Sequence, residues 1–285
     1  MASLKDLRRR IRATKSTQQI TKAMEMVAAA KLRRAQQRAQ AAAPYSVKIT
    51  EMLNNLAGAA AELENPLFQA RPVVTTALVV ITAERGLAGA YNTNVIRQAE
   101  IRLRAATPGS LQLVLVGKKG REYFRRRTYP ILAQYADLPG EASLEFARKL
   151  TQDLTALFLA GTVDRVEVMY THFINAITRK IFTEVFLPVG GGEKAGPTQD
   201  RGTIFEPNAE AIFAELLPRY ATAKLYAALA DALASEHSAR MVAMGSARKN
   251  AGELVDSLTL LRNRLRQALI TREIAELVGG AEALN

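Results

Sequence analysis

With 285 residues, 48% of them hydrophobic and 23% charged, the chain can bury a sizeable core and has the length of one or two domains. It contains no cysteine, which excludes disulfide frameworks, thiolate metal sites and dithiol redox control, and no apolar run of about 18 residues that would span a membrane. The net charge of +12 is unevenly placed: residues 1–60 hold twelve Lys or Arg against three Asp or Glu, residues 209–285 nine against nine, and the stretch between them eighteen against fifteen. A basic face of this kind on the first segment seeks an acidic partner, whether protein, nucleic acid or anionic lipid.

The opening Met1-Ala2-Ser3-Leu4-Lys5-Asp6 leads into no apolar h-region or cleavage site, so no secretory signal is expected, and the lack of a transit-peptide pattern favours a bacterial protein. Residues 1–63 are rich in Ala, Lys, Arg, Gln and Met, which predicts a long helix. Leu4, Leu7, Ile11, Ile20, Met24, Val27, Ile49, Met52, Leu53, Leu56 and Leu63 recur in steps that mark one buried stripe. Residues 14–19 are polar throughout and read as poor core material. Pro44 is expected to kink or interrupt the helix.

Residues 73–207 change texture. Runs at 75–81, 111–116, 163–170 and 177–187 read as strands; the first two are apolar on both faces and each precedes a helical pattern, at 94–105 and 120–126. An open α/β domain follows, left through the glycine-rich loop at 190–197. In residues 208–285, the series Ala230, Leu233, His237, Met241, Met244, Arg248, Ala251, Leu254, Leu258, Leu261, Leu265 and Ala268 keeps coiled-coil spacing. Such a helix would span on the order of 100 Å. Its only comparable partner is the N-terminal helix, and two helices emerging from one central domain must run antiparallel. The fold class expected is therefore α/β: an antiparallel coiled coil of long N- and C-terminal helices plus a central open, Rossmann-like α/β domain. The C-terminal helix is the longer, so its last twenty or so residues should stand alone, and residues 270–284 are apolar enough to want a cover.

Several motifs approach enzyme signatures without completing them. Gly86-Leu87-Ala88-Gly89-Ala90-Tyr91 lacks the third glycine of a dinucleotide turn. Val116-Gly117-Lys118-Lys119-Gly120 lacks the spaced first glycine and the Ser or Thr of a phosphate loop. Both read as ordinary strand-to-helix turns. The two histidines, His172 and His237, lie in different segments, which gives no metal site, and His237 reads as a seam or partner-facing residue. Ser235-Glu236-His237 cannot relay a proton, because adjacent helical residues point about 100° apart. No catalytic residue, cofactor or metal is expected. The basic helix, with Arg8, Arg9, Arg10, Arg12, Arg33, Arg34 and Arg38, leaves open a basic coiled-coil nucleic-acid-binding protein, although only Tyr45 could stack on a base.

Four segments resemble the gamma subunit of F-type (rotary) ATP synthases. They are Ile20-Thr21-Lys22-Ala23-Met24-Glu25-Met26-Val27-Ala28-Ala29-Ala30-Lys31, Ile81-Thr82-Ala83-Glu84-Arg85-Gly86-Leu87-Ala88-Gly89-Ala90-Tyr91-Asn92, Ser235-Glu236-His237-Ser238-Ala239-Arg240-Met241-Val242-Ala243-Met244, and residues 270–283. Glu84 stands where Asp is commoner, and the likeness weakens at 190–203. The resemblance implies a non-catalytic shaft inside a ring of alpha and beta subunits, with the α/β domain below beside the epsilon subunit and the membrane c-ring. It implies no membrane insertion, no direct nucleic-acid contact, and a peripheral place on the cytoplasmic face of a bacterial cell membrane. Lys22 and Met24 match the segment facing the acidic lever loops of beta, and Arg240 the basic position beside them. Arg266, Gln267, Thr271 and Glu273 match the upper contact with the ring, and residues 278–284 the tip in its sleeve. On this view the polar residues 14–19 keep the sides of the shaft from sticking.

Overall fold

The computed structural model describes residues 3–60, 66–69, 71–189 and 209–282. Leu63, the loop at 190–203, the boundary at 207–208 and the end of the tip at 283–284 lie outside them. The chain divides into two compact units, residues 1–28 with 241–285, and residues 29–240. This division differs from the segments 1–63, 73–207 and 208–285, because each long helix contributes to both units.

Helix α1 (Leu4–Ala60) starts at a capping box: Asp6 N–H donates to Ser3 Oγ at 3.1 Å, and the Ser3 hydroxyl donates to Asp6 Oδ2 at 2.9 Å. It runs through Pro44 without interruption. The ring removes one internal hydrogen bond, and a helix of 57 residues tolerates a single missing rung when its flanking turns are intact.

In the helical unit, α1 pairs with α5 (Ala209–Glu282). Arg248 Nε donates to Glu25 Oε2 at 2.8 Å, Glu25 also lies beside Gly245, and Gln18 lies beside Gly252. Positions rising along one helix meet positions falling along the other, so the pair is antiparallel. The expected line is met in part: Leu7 and Ile11 of α1 and Met244 and Ala251 of α5 are buried as expected, and other positions depart from it. Leu7, Ile11, Thr21 and Ala28 are buried and Thr14, Gln18 and Glu25 half-buried, whereas Ile20 and Val27 are exposed. On α5, Val255 is 8% exposed and Leu254 49%, with Arg262 half-buried and Leu261 exposed. The seam thus runs one residue away from several of the largest apolar side chains. Of residues 14–19, Thr14 and Gln18 are half-buried along the seam, whereas Lys15, Ser16, Thr17 and Gln19 are exposed, as suits a stretch that is poor core material. Burying threonines in the seam costs little because the hydroxyls of Thr14 and Thr21 donate to the carbonyls of Arg10 and Thr17, four residues back, at 2.9 Å.

The α/β unit holds one sheet of five strands in the order β3-β2-β1-β4-β5. They are β1 (Thr76–Ile81), β2 (Leu111–Val116), β3 (Ile131–Tyr135), β4 (Arg165–Phe173) and β5 (Arg179–Leu187); the first four are parallel and β5 is antiparallel to β4. Alternate residues of the central strands enter two cores, which is why those runs are apolar on both faces. Leu78, Val80, Leu113, Leu115 and Met169 pack with Val95, Ala99 and Leu103 of α2 (Tyr91–Ala105) and Phe124 of α3 (Lys118–Phe124). Val79, Ile81, Val114, Val116 and Val168 pack with Leu150, Leu154 and Phe158 of α4 (Leu144–Leu159), with Leu225, Leu229 and Leu233 of α5, and with Ile49 of α1. The sequence reading missed β3, a half-buried edge strand, and α4, which Ser143 caps by accepting from Phe146 N–H at 3.3 Å.

Candidate functional site

In an open α/β sheet the ligand-binding crevice lies beyond the carboxyl ends of the strands, where neighbouring crossovers diverge; here that place is between β1 and β4. The chain fills it itself. Residues 232–239 of α5 are buried, and their small side chains (Ala232, Ala234, Ser235, Ser238, Ala239) let the helix approach closely. Asp231 accepts from Phe173 N–H at 2.8 Å and pairs with His172 at the end of β4. Tyr91 at the start of α2 donates its hydroxyl to the Ala232 carbonyl at 3.1 Å. Ser238 donates to the Ala176 carbonyl at 2.7 Å and accepts from Arg179 at 3.0 Å.

The second turn tested for phosphate binding is filled too. Glu84 Oε1 accepts from Lys118 N–H at 3.2 Å and from Leu138 N–H at 3.0 Å, putting a carboxylate at the start of α3. Thr82 Oγ1 accepts from Gly120 N–H at 2.8 Å. Gly117 has φ +93, and a Cβ there would stand 2.1 Å from the Thr82 carbonyl oxygen, so the turn closes on strand β1 with no room for an anion. Both glycine-containing turns are structural.

Arg240, which the resemblance matches to the basic position beside the beta contact, is held within the α/β unit. Its side chain is 12% exposed and its guanidinium is bound within the α/β unit: to Glu236 at 2.6 Å, to the Gly86 carbonyl at 3.2 Å and to the Arg85 carbonyl at 3.4 Å. It pins the loop after β1 to α5. Burial raises the Glu236 carboxyl above its ordinary range, with the Arg240 charge opposing that shift. Burial pushes the neighbouring His237 down to about 4, and Arg240 adds to the shift. His237 is an interior residue rather than a partner-facing one, sharing a small cavity with Lys31, Arg34, Ala35 and Arg38 of α1. Ser235 is buried without a partner, so residues 235–237 form no triad.

The other residues singled out for partner binding lie in the helical unit. Lys22 is exposed and Met24 half-buried on α1; Arg266, Gln267, Thr271 and Glu273 are exposed on α5. Every residue from 266 to 279 is exposed, including Ile270, Ile274, Val278 and Leu277, the last at 73%. The sequence reading missed Tyr91, Asp231 and Glu84 as internal clamps; polar residues embedded in the Ala-rich stretch of α5 were the available signal for Asp231. Among the described residues no helix is long and apolar enough to cross a membrane, and no cluster of His, Asp or Glu could hold a metal ion.

The fold defines an α/β protein with two long antiparallel helices, whose Rossmann-like crevice is closed by its own helix. The family model "ATP synthase" matches residues 3–284. The ATP synthase gamma chain of Moorella thermoacetica is 48% identical over 286 residues, and that of Desulforamulus reducens 47% over 287, each alignment covering 100% of both chains. Among solved structures, a chain of the Tetrahymena thermophila mitochondrial ATP synthase central stalk and c-ring is 25% identical with a TM-score of 0.63, covering 80% of this chain and 99% of that one. A chain of the Euglena gracilis mitochondrial ATP synthase shares the fold at 20% identity with a TM-score of 0.73, covering 99% of this chain and 94% of that one. This chain belongs to the ATP synthase gamma chain family.

Proposed function

We propose that the chain is the central rotor shaft of an F-type ATP synthase, turned by a membrane c-ring and turning within a ring of alternating alpha and beta subunits. Catalysis belongs to the beta subunits, and the epsilon subunit shares the foot of the shaft. The solved relative from Tetrahymena is described as a central stalk with its c-ring, which supports the same assembly here. The chain would sit on the cytoplasmic face of a bacterial membrane, held through the c-ring.

The observation that carries this reading is the end of α5: a helix exposed on all sides from 266 to 279 and bearing five large apolar residues needs a sleeve from another protein. Arg266, Gln267, Thr271 and Glu273 would meet the ring there. Lys22, exposed on α1, and Met24, half-buried beside the seam, would meet the acidic loops of beta, where charge attraction suits the basic first segment. Arg240 is assigned to the ring contact by the same resemblance, through the part of its side chain left exposed beside Glu236 and the loop after β1.

Mixing the purified chain with matching alpha and beta subunits tests the reading. One copy per ring, with ATP hydrolysis appearing only in the complex, is the expected result. Met24→Lys should leave assembly intact and lower the ions pumped per ATP; unchanged pumping removes Met24 from the interface. A chain that never joins the ring refutes the shaft.

A further inference from the structure

Charge totals hide a second basic surface. Residues 94–128 hold nine Lys or Arg against two Glu, a net +7, while the rest of residues 61–208 hold nine against thirteen. Val95, Ala99 and Leu103 of α2 and Gly120 and Phe124 of α3 turn inward, which sends Arg97, Arg104, Lys118, Arg125 and Arg126 outward. The two helices adjoin: Glu100 of α2 pairs with Arg127, just beyond α3, at 3.1 Å, and with Arg104 at 3.8 Å. Glu122 answers Lys119 at 2.6 Å and Lys118 at 3.8 Å. Both carboxylates are thereby engaged. Among the described residues no carboxylate lies within ion-pair distance of Arg97, Arg121, Arg125 or Arg126.

So many cations on one face repel one another, and an external anion relieves the repulsion. The face itself narrows the choice of anion. Its only large exposed apolar residue is Ile101, so it lacks the apolar centre on which a protein interface is built. Tyr123 and Tyr129 are half-buried, and the Arg127 guanidinium covers the Tyr123 ring at 3.4 Å, so no aromatic is free to stack on a base. A layer of anionic headgroups requires neither feature, since clustered Lys and Arg suffice to bind it.

We propose that the α2–α3 face rests on anionic phospholipid headgroups in a salt-sensitive contact that does not penetrate the bilayer. The preference for lipid over a fixed acidic protein rests on the rotor reading. A fluid anionic surface favours no angle, whereas a stationary acidic patch would hold the shaft at one position in each turn.

The test is co-sedimentation of the full chain with vesicles of phosphatidylcholine alone or mixed with phosphatidylglycerol, at about 0.1 M salt. The natural chain is compared with Arg121→Glu/Arg125→Glu/Arg126→Glu and with Arg8→Glu/Arg9→Glu/Arg12→Glu, which changes the same charge on α1. Binding only to the anionic vesicles, weakened roughly 100-fold or more by the α3 variant and much less by the α1 variant, is the expected result. Should the reversed α3 variant lose its helical signal, Arg→Gln changes at the same positions must still weaken binding. No preference for phosphatidylglycerol, or equal loss in the two reversed variants, overturns the proposal. Patch-dependent capture of a DNA duplex in preference to vesicles overturns it in favour of nucleic acid. The α3 variant should still join the alpha–beta ring and support hydrolysis, so failure of this contact and failure of the shaft reading are seen in different experiments.

Discussion

The His237 imidazole lies where α5, α1 and the loop at Gly140 meet, with Arg240 and Lys31 opposing its protonation and the Gly140 carbonyl and Glu141 favouring it. Burial is the largest effect, and the group titrates at about 4 rather than at its ordinary 6.5. The folded state therefore binds fewer protons than the unfolded chain between these values. Above pH 6.5 the ring is neutral in both states and costs nothing; as pH drops from 6.5 to about 4, protonation of the unfolded chain alone lowers stability, by roughly 3 kcal/mol over the whole window. His237→Gln should flatten that part of the pH–stability curve in urea unfolding; a variant that loses stability in parallel with the natural chain would show that the acid sensitivity lies elsewhere. The heptad spacing of His237 gave one of its two readings, the seam, which is where it lies against α1, but not the loop at Gly140 that crosses over it. Arg240 escaped for the same reason: its partners, Gly86 and Arg85, are set by the crossing of α5 over the strand ends.

At the scale of the helices, existence and direction were legible and the seam only in part: Leu7, Ile11, Met244 and Ala251 are buried as expected. Composition and the shortage of helix breakers located α1 and α5, but choosing the largest apolar residues selected Ile20, Val27, Leu254 and Leu261, which are exposed. The actual seam uses small and polar residues that satisfy their hydrogen bonds locally or across the pair, and hydropathy is blind to that pairing. Gly252 illustrates it. A Cβ there would stand 2.8 Å from Gln18 Nε2, the far end of a flexible side chain that can swing aside. Gly252→Ala should thus gain helix propensity and stabilise the chain by about 0.5–1 kcal/mol in thermal or urea unfolding. A loss of similar size would mean that Gln18 is held in place and the seam needs its glycine. At Gly245 the neighbour is Glu25, 3.2 Å away and fixed by Arg248, so Gly245→Ala should gain less.

For the molecule as a whole, the strand texture announced the α/β domain, and two closed cores account for its stability without a ligand at the strand ends. The partners were not legible from physics alone, since a basic helix fits several anions; full-length similarity to gamma chains decided among them. The end of α5 joins these two kinds of knowledge. Residues 266–279 are exposed on every face, so they add little to the free energy of folding, yet Ile270, Ile274, Leu277 and Val278 present apolar surface to water. Deleting residues 268–285 should shift the unfolding free energy of the isolated chain by less than about 1 kcal/mol, because none of the described side chains removed, 268–279, is buried. The same deletion should reduce self-association of the isolated chain and weaken its retention in the alpha–beta ring. Light scattering, urea unfolding and ring assembly read these three effects separately. A marked fall in stability would show that the end of α5 packs on its own chain and would leave no free apolar tip for a sleeve to cover.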